Sequence, residues 1–432
     1  MNYDVIPSLF ALAILVAVFR AILRQRNTER LELWLTGWFL VLVHFVAQFV
    51  QVGQGAWARW MSACNLSFLE LATIVFLISF SPMAEDRRHQ YMMAAGLGIP
   101  SLLYTNAPIW NITSHAFFYA VIVLAFSSTV LLAWQYYRKL TLYVAGLVTA
   151  SLLVSVVMAY CVARNHTDIG LTVLLFSLNL AAAVLYWLRF PRSTAGVLTT
   201  SGGFVAWGAV FPCYYLLTAY VPTAHVESEV WNLPKYFVAV GMILTLLEDQ
   251  IQRSEYLAHH DELTGLPNLR LLLDRMDQAM AHAKRSSNKL AVLLLDLDNF
   301  KEVNDTYGHR IGDLLLQHTV LRLTTRMRVS DTLSRSGGDE FTVISEIASP
   351  QGAEVLVSAL KSALSIPFRL EGNLISASVS IGFALYPDDG IDTDSLRAAA
   401  DNAMYAAKRA SRMQSASKEL FQSAKSEPHA IS

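Results

Sequence analysis

Arg335-Ser336-Gly337-Gly338-Asp339-Glu340-Phe341 is the stretch on which the reading of this chain turns. Two adjacent glycines supply the positive φ values that a tight hairpin loop demands and let another backbone or ligand come close. Asp339 and Glu340 then present hard oxygen donors of the kind Mg²⁺ prefers. Phe341, Thr342, Val343 and Ile344 supply the aromatic and β-branched residues of a strand. The stretch reads as a β-hairpin with an acidic tip. Taken alone, such a tip is either an ordinary solvated loop or half of a metal site, and its neighbours must decide.

Upstream, Leu290–Leu295 is a continuous apolar run that predicts a buried strand, ending in Asp296-Leu297-Asp298-Asn299-Phe300-Lys301. A carboxylate at the end of a buried strand is costly unless it is paired or bound to metal. If the acidic hairpin lies on the adjacent strand, Asp296 and the tip form a two-carboxylate site. Asp261-Glu262-Leu263-Thr264-Gly265-Leu266-Pro267-Asn268 is a polar, Gly/Pro-punctuated turn before an amphipathic helix over 269–283. Asn304-Asp305-Thr306-Tyr307-Gly308-His309-Arg310-Ile311-Gly312-Asp313 is a loop rich in Asn, Asp and Gly between helical stretches. Ser376–Gly382 alternates like a strand, and Lys408 and Arg412 stand four apart on one helix face.

Taken in order, these segments resemble the GGDEF family, the diguanylate cyclases that condense two GTP into cyclic di-GMP, over about residues 261–417. The resemblance implies an α/β, nucleotidyl-cyclase-like fold with a central, mainly antiparallel sheet flanked by helices. It implies two Mg²⁺ per protomer, with Mn²⁺ as a substitute. The metal set would be Asp296, the Leu297 carbonyl, Asp339 and Glu340, with Asp339 and Glu340 as the catalytic carboxylates. Asn304 and Asp313 would read the guanine edge, where a carboxylate accepts from N–H groups that adenine lacks. Gly337, Gly338, Lys301, Lys408 and Arg412 would meet the phosphates. Arg328-Val329-Ser330-Asp331, five residues before the signature, would be an RxxD inhibitory site for the product, with Arg328 and Asp331 as its ligands. The chain departs from the family pattern at Leu269, where an arginine is usual, and at Ser411 and Met413, around Arg412.

The rest of the chain has a different composition. The first 245 residues hold only 13 Lys and Arg and 9 Asp and Glu, against 20 and 25 in the remaining 187. Apolar runs long enough to cross a bilayer fall near 3–23, 33–53, 61–83, 91–107, 116–137, 140–163, 169–190, 197–221 and 231–248. The fourth is short and carries Gly96, Gly98 and Pro100. Arg24, Arg26, Arg30, Arg87, Arg88, Arg138, Lys139, Arg189 and Arg192 fall in alternate loops. With nine spans this puts the N-terminus outside and residues 249–432 in the cytoplasm. The first span lacks a basic n-region and a small-residue cleavage site, so it reads as an anchor. Cys64, Cys161 and Cys213 have no metal-ligand spacing and read as packing residues.

The domain expectation is a polytopic all-α membrane sensor over 1–248, a signalling helix over 249–260, the α/β domain over 261–417 and a disordered tail over 418–432. Leu244, Leu247, Ile251, Ser254 and Ala258 are spaced as a short coiled-coil seam, or as one face of an ordinary amphipathic helix. Glu70 and His44 are ionisable residues inside spans; a functional role and hydrogen bonding with Gln48 or Asn179 both remain open. The expected partners are GTP, cyclic di-GMP as product and inhibitor, the bilayer of a bacterial inner membrane and a second copy of the chain, with no nucleic-acid polymer. The competing readings are a catalytically silent receptor for GTP or cyclic di-GMP, and a transporter regulated by its C-terminal domain.

Overall fold

A computed structural model describes the chain except residues 1–2, 26–27, 52–54, 83–85, 136–140, 191–192, 224–225, 227, 287 and 426–432, and the side chains of 25, 141, 228, 411–412 and 414–425. It divides into two compact units, Met1–Gln250 and Ile251–Ser432.

The first unit is all-helical: α1 (Ile6–Gln25), α2 (Glu29–Val50), α3 (Ala56–Phe80), α4 (Arg87–Asn106), α5 (His115–Trp134), α6 (Thr141–Ala163), α7 (Thr167–Arg189), α8 (Ala195–Tyr220) and α9 (Ser228–His259). Its centre is aromatic. Trp34, Trp38, Phe76, Phe80, Tyr186, Phe204 and Trp207 are all fully buried, and Phe80 meets Tyr186 edge-on with ring centroids 4.8 Å apart. Its outside is apolar too, with Phe10, Leu131, Leu142 and Leu153 exposed. That inversion suits hydrocarbon as the surroundings, where backbone groups must be satisfied inside helices.

Among the described residues eight helices are long and apolar enough to cross a membrane, one fewer than the nine spans expected. The exception is α4. It opens on Arg87-Arg88-His89-Gln90, so only the part from Tyr91 onward is apolar, and that part contains Gly96, Gly98 and Pro100. It nevertheless packs between α3 and α5. The basic residues Arg26, Arg138, Lys139 and Arg192 lie outside the described residues. Neither Gln48 nor Asn179 partners the intramembrane ionisable groups: His44 Nδ1 donates to the Asn65 carbonyl at 2.9 Å, and Asn179 donates to Leu175 on its own helix. The charged stretch after 248 continues α9 without a break to His259, and on it Leu247 and Ile251 are exposed.

The second unit runs α10 (Leu269–Ser286), β1 (Lys289–Leu297), α11 (Phe300–Tyr307), α12 (His309–Thr324), β2 (Thr332–Gly337), β3 (Glu340–Ile347), α13 (Pro350–Leu364), β4 (Phe368–Leu370), β5 (Asn373–Ile375), β6 (Val379–Tyr386) and α14 (Thr393–Lys425). Four strands form an antiparallel sheet in the order β2-β3-β1-β6. Strand β1 is central, which explains its unbroken apolar run: Ala291, Leu293, Leu295 and Leu297 pack with residues of α12 and α13, while Leu290, Val292 and Leu294 pack with residues of α10 and α14.

Two boundaries differ from expectation. The strand expected from Ser376 begins at Val379. Ser378 is drawn aside instead, its carbonyl accepting from Asp298 N–H at 2.9 Å and its hydroxyl donating to Asp298 Oδ2 at 2.7 Å. The tail expected to be disordered from 418 stays helical to Lys425, because no glycine or proline interrupts the sequence between Gly390 and Pro428. The remainder of that tail, 426–432, lies outside the described residues.

Candidate active site

The site grows from register. Asp296 is the eighth residue of the nine in β1, and pairs across to Glu340 on β3 and to Ser380 on β6. Side chains directly opposite on antiparallel strands share a face, so Asp296, Glu340 and Ser380 form one row across the sheet. It is the face that carries Leu290, Val292 and Leu294, and therefore the face covered by α14. Lys408 of α14 reaches down to it, its Nζ 2.7 Å from Asp296 Oδ1. Asp296 is buried, so this ammonium is the counter-charge that makes its position tolerable.

Gly337 ends β2, and Gly338 with Asp339 forms the turn into β3, Gly338 sitting at φ 52° in the left-handed region. The turn delivers Asp339 half-buried and Glu340 exposed beside Asp296. Leu297 N–H donates to the Asp339 carbonyl at 3.3 Å, which ties the turn to the end of β1. Burial, and then the neighbouring charge of Asp296, push the Asp339 carboxyl above its ordinary range; Lys408 and Arg335 pull the other way. Glu340 is raised by burial first, then by Asp296, Asp339 and Asp401. The cluster is thus rich in carboxylates that repel one another, with one lysine among them.

Among the described residues no three acidic, His or Cys side chains converge into a ready-made metal cage. Mg²⁺ does not need one, since it is commonly held by one or two carboxylates together with substrate phosphates and water. The oxygen-only donor set of Asp296, Asp339 and the Leu297 carbonyl, with raised carboxyls that a cation would relieve, fits that ion.

Asn304 lies on α11 and Asp313 on α12, two helices that meet at Gly308 (φ 84°). Asn304 is half-buried and Asp313 exposed. A Cβ on Gly312 would stand 1.9 Å from Asn304 Oδ1, so the glycine is what lets Asn304 pack at this corner. Lys301 is exposed in the first turn of α11. Arg412 falls on α14, with its side chain outside the described residues.

Arg328 and Asp331 lie apart from this row, in the loop before β2. Asp331 Oδ2 accepts from Arg328 N–H at 2.8 Å, and Oδ1 accepts from the Ser345 hydroxyl at 2.8 Å. Both side chains line an open pocket of about 340 Å³ together with Leu266, Arg275, Met327 and Val329.

Three features escaped the sequence reading. The Arg335 guanidinium donates from NH1 to Asp261 Oδ1 at 2.9 Å and from Nε to the Gly338 carbonyl at 2.9 Å, so it joins the domain's entry turn to the acidic turn. Asp298 accepts from Ser378 and Ser380, both at 2.7 Å, and locks the end of β1 to β6. Arg275 contributes a second guanidinium to the Arg328 pocket. The paired carboxylates of the Asp296–Asp298 segment and the alternating serines of 376–380 were visible signals for the second; an arginine on an amphipathic helix gave none for the third.

Residues 258–414 match a family described as GGDEF: Diguanylate cyclase, GGDEF domain. The bifunctional diguanylate cyclase/cyclic di-GMP phosphodiesterase MucR of Pseudomonas aeruginosa is 40% identical over 186 residues, which is 40% of this chain and 27% of MucR. Diguanylate cyclase TpbB of the same species is 39% identical over 168 residues, 38% of this chain and 39% of TpbB. The match therefore spans about a quarter to two fifths of these relatives' lengths. A solved structure of the isolated TpbB GGDEF domain is 40% identical, with 35% of this chain and 89% of that one covered and a TM-score of 0.34.

Proposed function

We propose, from the match of residues 258–414 to the GGDEF family, that the protein is a membrane-anchored diguanylate cyclase. It condenses two GTP into cyclic di-GMP and two pyrophosphates. The observation that carries the reading is the Asp296–Glu340 register pair with Asp339 beside it and Lys408 above.

In this reading Asp296, Asp339 and the Leu297 carbonyl hold Mg²⁺, two ions per protomer with Glu340 completing the set, and Mn²⁺ can substitute. Bound Mg²⁺ supplies charge neutralisation at the phosphates and acidifies the attacking hydroxyl. Asn304 and Asp313 hold the guanine edge, and the α11–α12 corner fixes their separation. Lys301, Lys408, Arg412 and the glycine turn receive the phosphates. The 3′-hydroxyl of one GTP attacks the α-phosphate of the other; its proton leaves to a carboxylate such as Glu340 or to water, and pyrophosphate departs. The second bond forms the same way with the roles exchanged. Each domain holds one nucleotide, so two copies must face each other, and positioning with electrostatics provides the acceleration.

Product binding at Arg328 and Asp331 restrains the enzyme. The helical unit anchors it in a bacterial inner membrane and senses a stimulus. With α4 counted as a crossing of about 30 Å by its helical rise, the alternation of basic loops in the sequence supports a cytoplasmic GGDEF domain, on the side where GTP is.

The test is the purified full chain incubated with GTP and Mg²⁺, its products separated by chromatography. Cyclic di-GMP formed with Mg²⁺ and abolished by chelation supports the reading; binding of nucleotide with no turnover under any condition favours the silent receptor.

A further inference from the structure

Helix α3 carries one carboxylate, Glu70, which is 1% exposed. Both of its oxygens are buried, and among the described residues neither is met by a hydrogen bond of 3.5 Å or less. Two more buried oxygens without partners belong to α4, Thr105 Oγ1 and Asn106 Oδ1. The Ser101 and Thr105 hydroxyls face the carboxylate, and among the described residues no charged group is found acting on it. Asn106 is held at the same seam by its amide, which donates to Ser67 Oγ at 3.0 Å and to the Leu102 carbonyl at 2.8 Å. Ser67 precedes Glu70 by one turn on α3, so the oxygens gather along one line of contact between the two helices. Of the titratable groups on the helices packed against α3, His44 of α2 has its Nδ1 committed to the Asn65 carbonyl, Tyr104 of α4 donates to the Thr167 carbonyl, Tyr186 of α7 donates to Thr245, and Glu29 and Glu32 of α2 pair with Arg87 of α4.

An ionised carboxylate alone in a low-dielectric interior costs several kcal/mol. Among the described residues no nitrogen donor is aimed at it; the hydroxyls beside it can donate to it, but they can equally turn their lone pairs to a cation held by the carboxylate. One negative charge is balanced by one positive charge; a divalent ion would leave a net charge buried in its place. We propose that Glu70, with Thr105, Ser101 and Asn106, binds a single hard alkali cation of the sodium class in the α3–α4 seam. A proton competes for the same carboxylate. The site is independent of the nucleotide chemistry and belongs to the membrane half.

The experiment is thermal unfolding of the purified full chain in detergent, titrated with NaCl against N-methylglucamine chloride at constant ionic strength. The melting temperature rises with the logarithm of sodium concentration, as for any ligand that binds only the folded state. The apparent affinity weakens by about tenfold per pH unit once the proton competes fully. Glu70→Gln abolishes the sodium response, and Thr105→Val weakens it several-fold. Should Glu70→Gln fail to fold, equilibrium binding of ²²Na⁺ to wild type and Thr105→Val decides. No sodium response, an equal response in both variants, or a response to pH alone overturns the proposal.

Discussion

Arg335 and Asp261 are 74 residues apart, and in the fold the Arg335 guanidinium donates to both oxygens of the Asp261 carboxylate, at 2.9 and 3.1 Å. The same guanidinium donates twice to the Gly338 carbonyl, at 2.9 and 2.6 Å. The point where the chain enters the GGDEF domain is thereby fastened to the turn that carries Asp339 and Glu340.

Asp261 also accepts from the Thr264 hydroxyl and backbone N–H at 2.6 and 2.9 Å. Burial works against its ionised form, yet the bonds from Thr264 and Arg335 outweigh it and hold the carboxyl below its ordinary range. A depressed carboxyl stabilises the fold above its unfolded-state pKa, and that contribution disappears as pH falls through the folded-state value. Asp261→Asn therefore costs about 1–3 kcal/mol at neutral pH and flattens the acid limb of stability. Chemical denaturation at pH 7 and pH 3 checks both.

Lys408 Nζ pairs with Asp296 Oδ1 at 2.7 Å. Removing it leaves Asp296 free to take a cation. Lys408→Met destabilises the domain without Mg²⁺ but strengthens nucleotide-free Mg²⁺ binding several-fold, read as the shift of melting temperature with Mg²⁺ concentration. The raised carboxyls of Asp339 and Glu340 make this binding fade, as pH falls, sooner than ordinary carboxylates would. An unchanged Mg²⁺ response contradicts the exchange.

Gly312 allows Asn304 its place. Gly312→Ala forces the carboxamide away, so KM for GTP rises by an order of magnitude or so while residual turnover keeps the wild-type metal dependence. A polar group left unpaired against the wrong base is also what excludes adenine, so discrimination against ATP weakens in this variant. Unaltered kinetics with GTP and ATP would remove Asn304 from the base site.

Arg275 and Arg328 line one pocket. Arg328→Ala relieves inhibition by cyclic di-GMP with little effect on initial rate, and Arg275→Ala weakens inhibition by a smaller factor. Calorimetric titration of cyclic di-GMP separates this from a change in catalysis.

Much of this was legible in the chain because it is local. The apolar run of 290–295, the glycine turn and the Asn304–Asp313 segment each declare themselves within a dozen residues. What escaped is pairing across distance: Arg335 with Asp261, Asp298 with serines 80 and 82 residues away, and Lys408 with an aspartate 112 residues away. No periodicity encodes such pairs. Hydropathy is weakest at α4, whose apolar part is shortened by its basic first turn, and composition under-read the tail, whose polar residues still form helix to Lys425.

The most direct test of the central claim is cyclic di-GMP synthesis from GTP and Mg²⁺ by the full chain with Asp339→Ala or Glu340→Ala, each checked for a native circular-dichroism spectrum. Wild type is predicted to turn over, and both folded variants to yield no detectable product. Sustained synthesis by either folded variant would contradict the assignment of this acidic turn as the catalytic site.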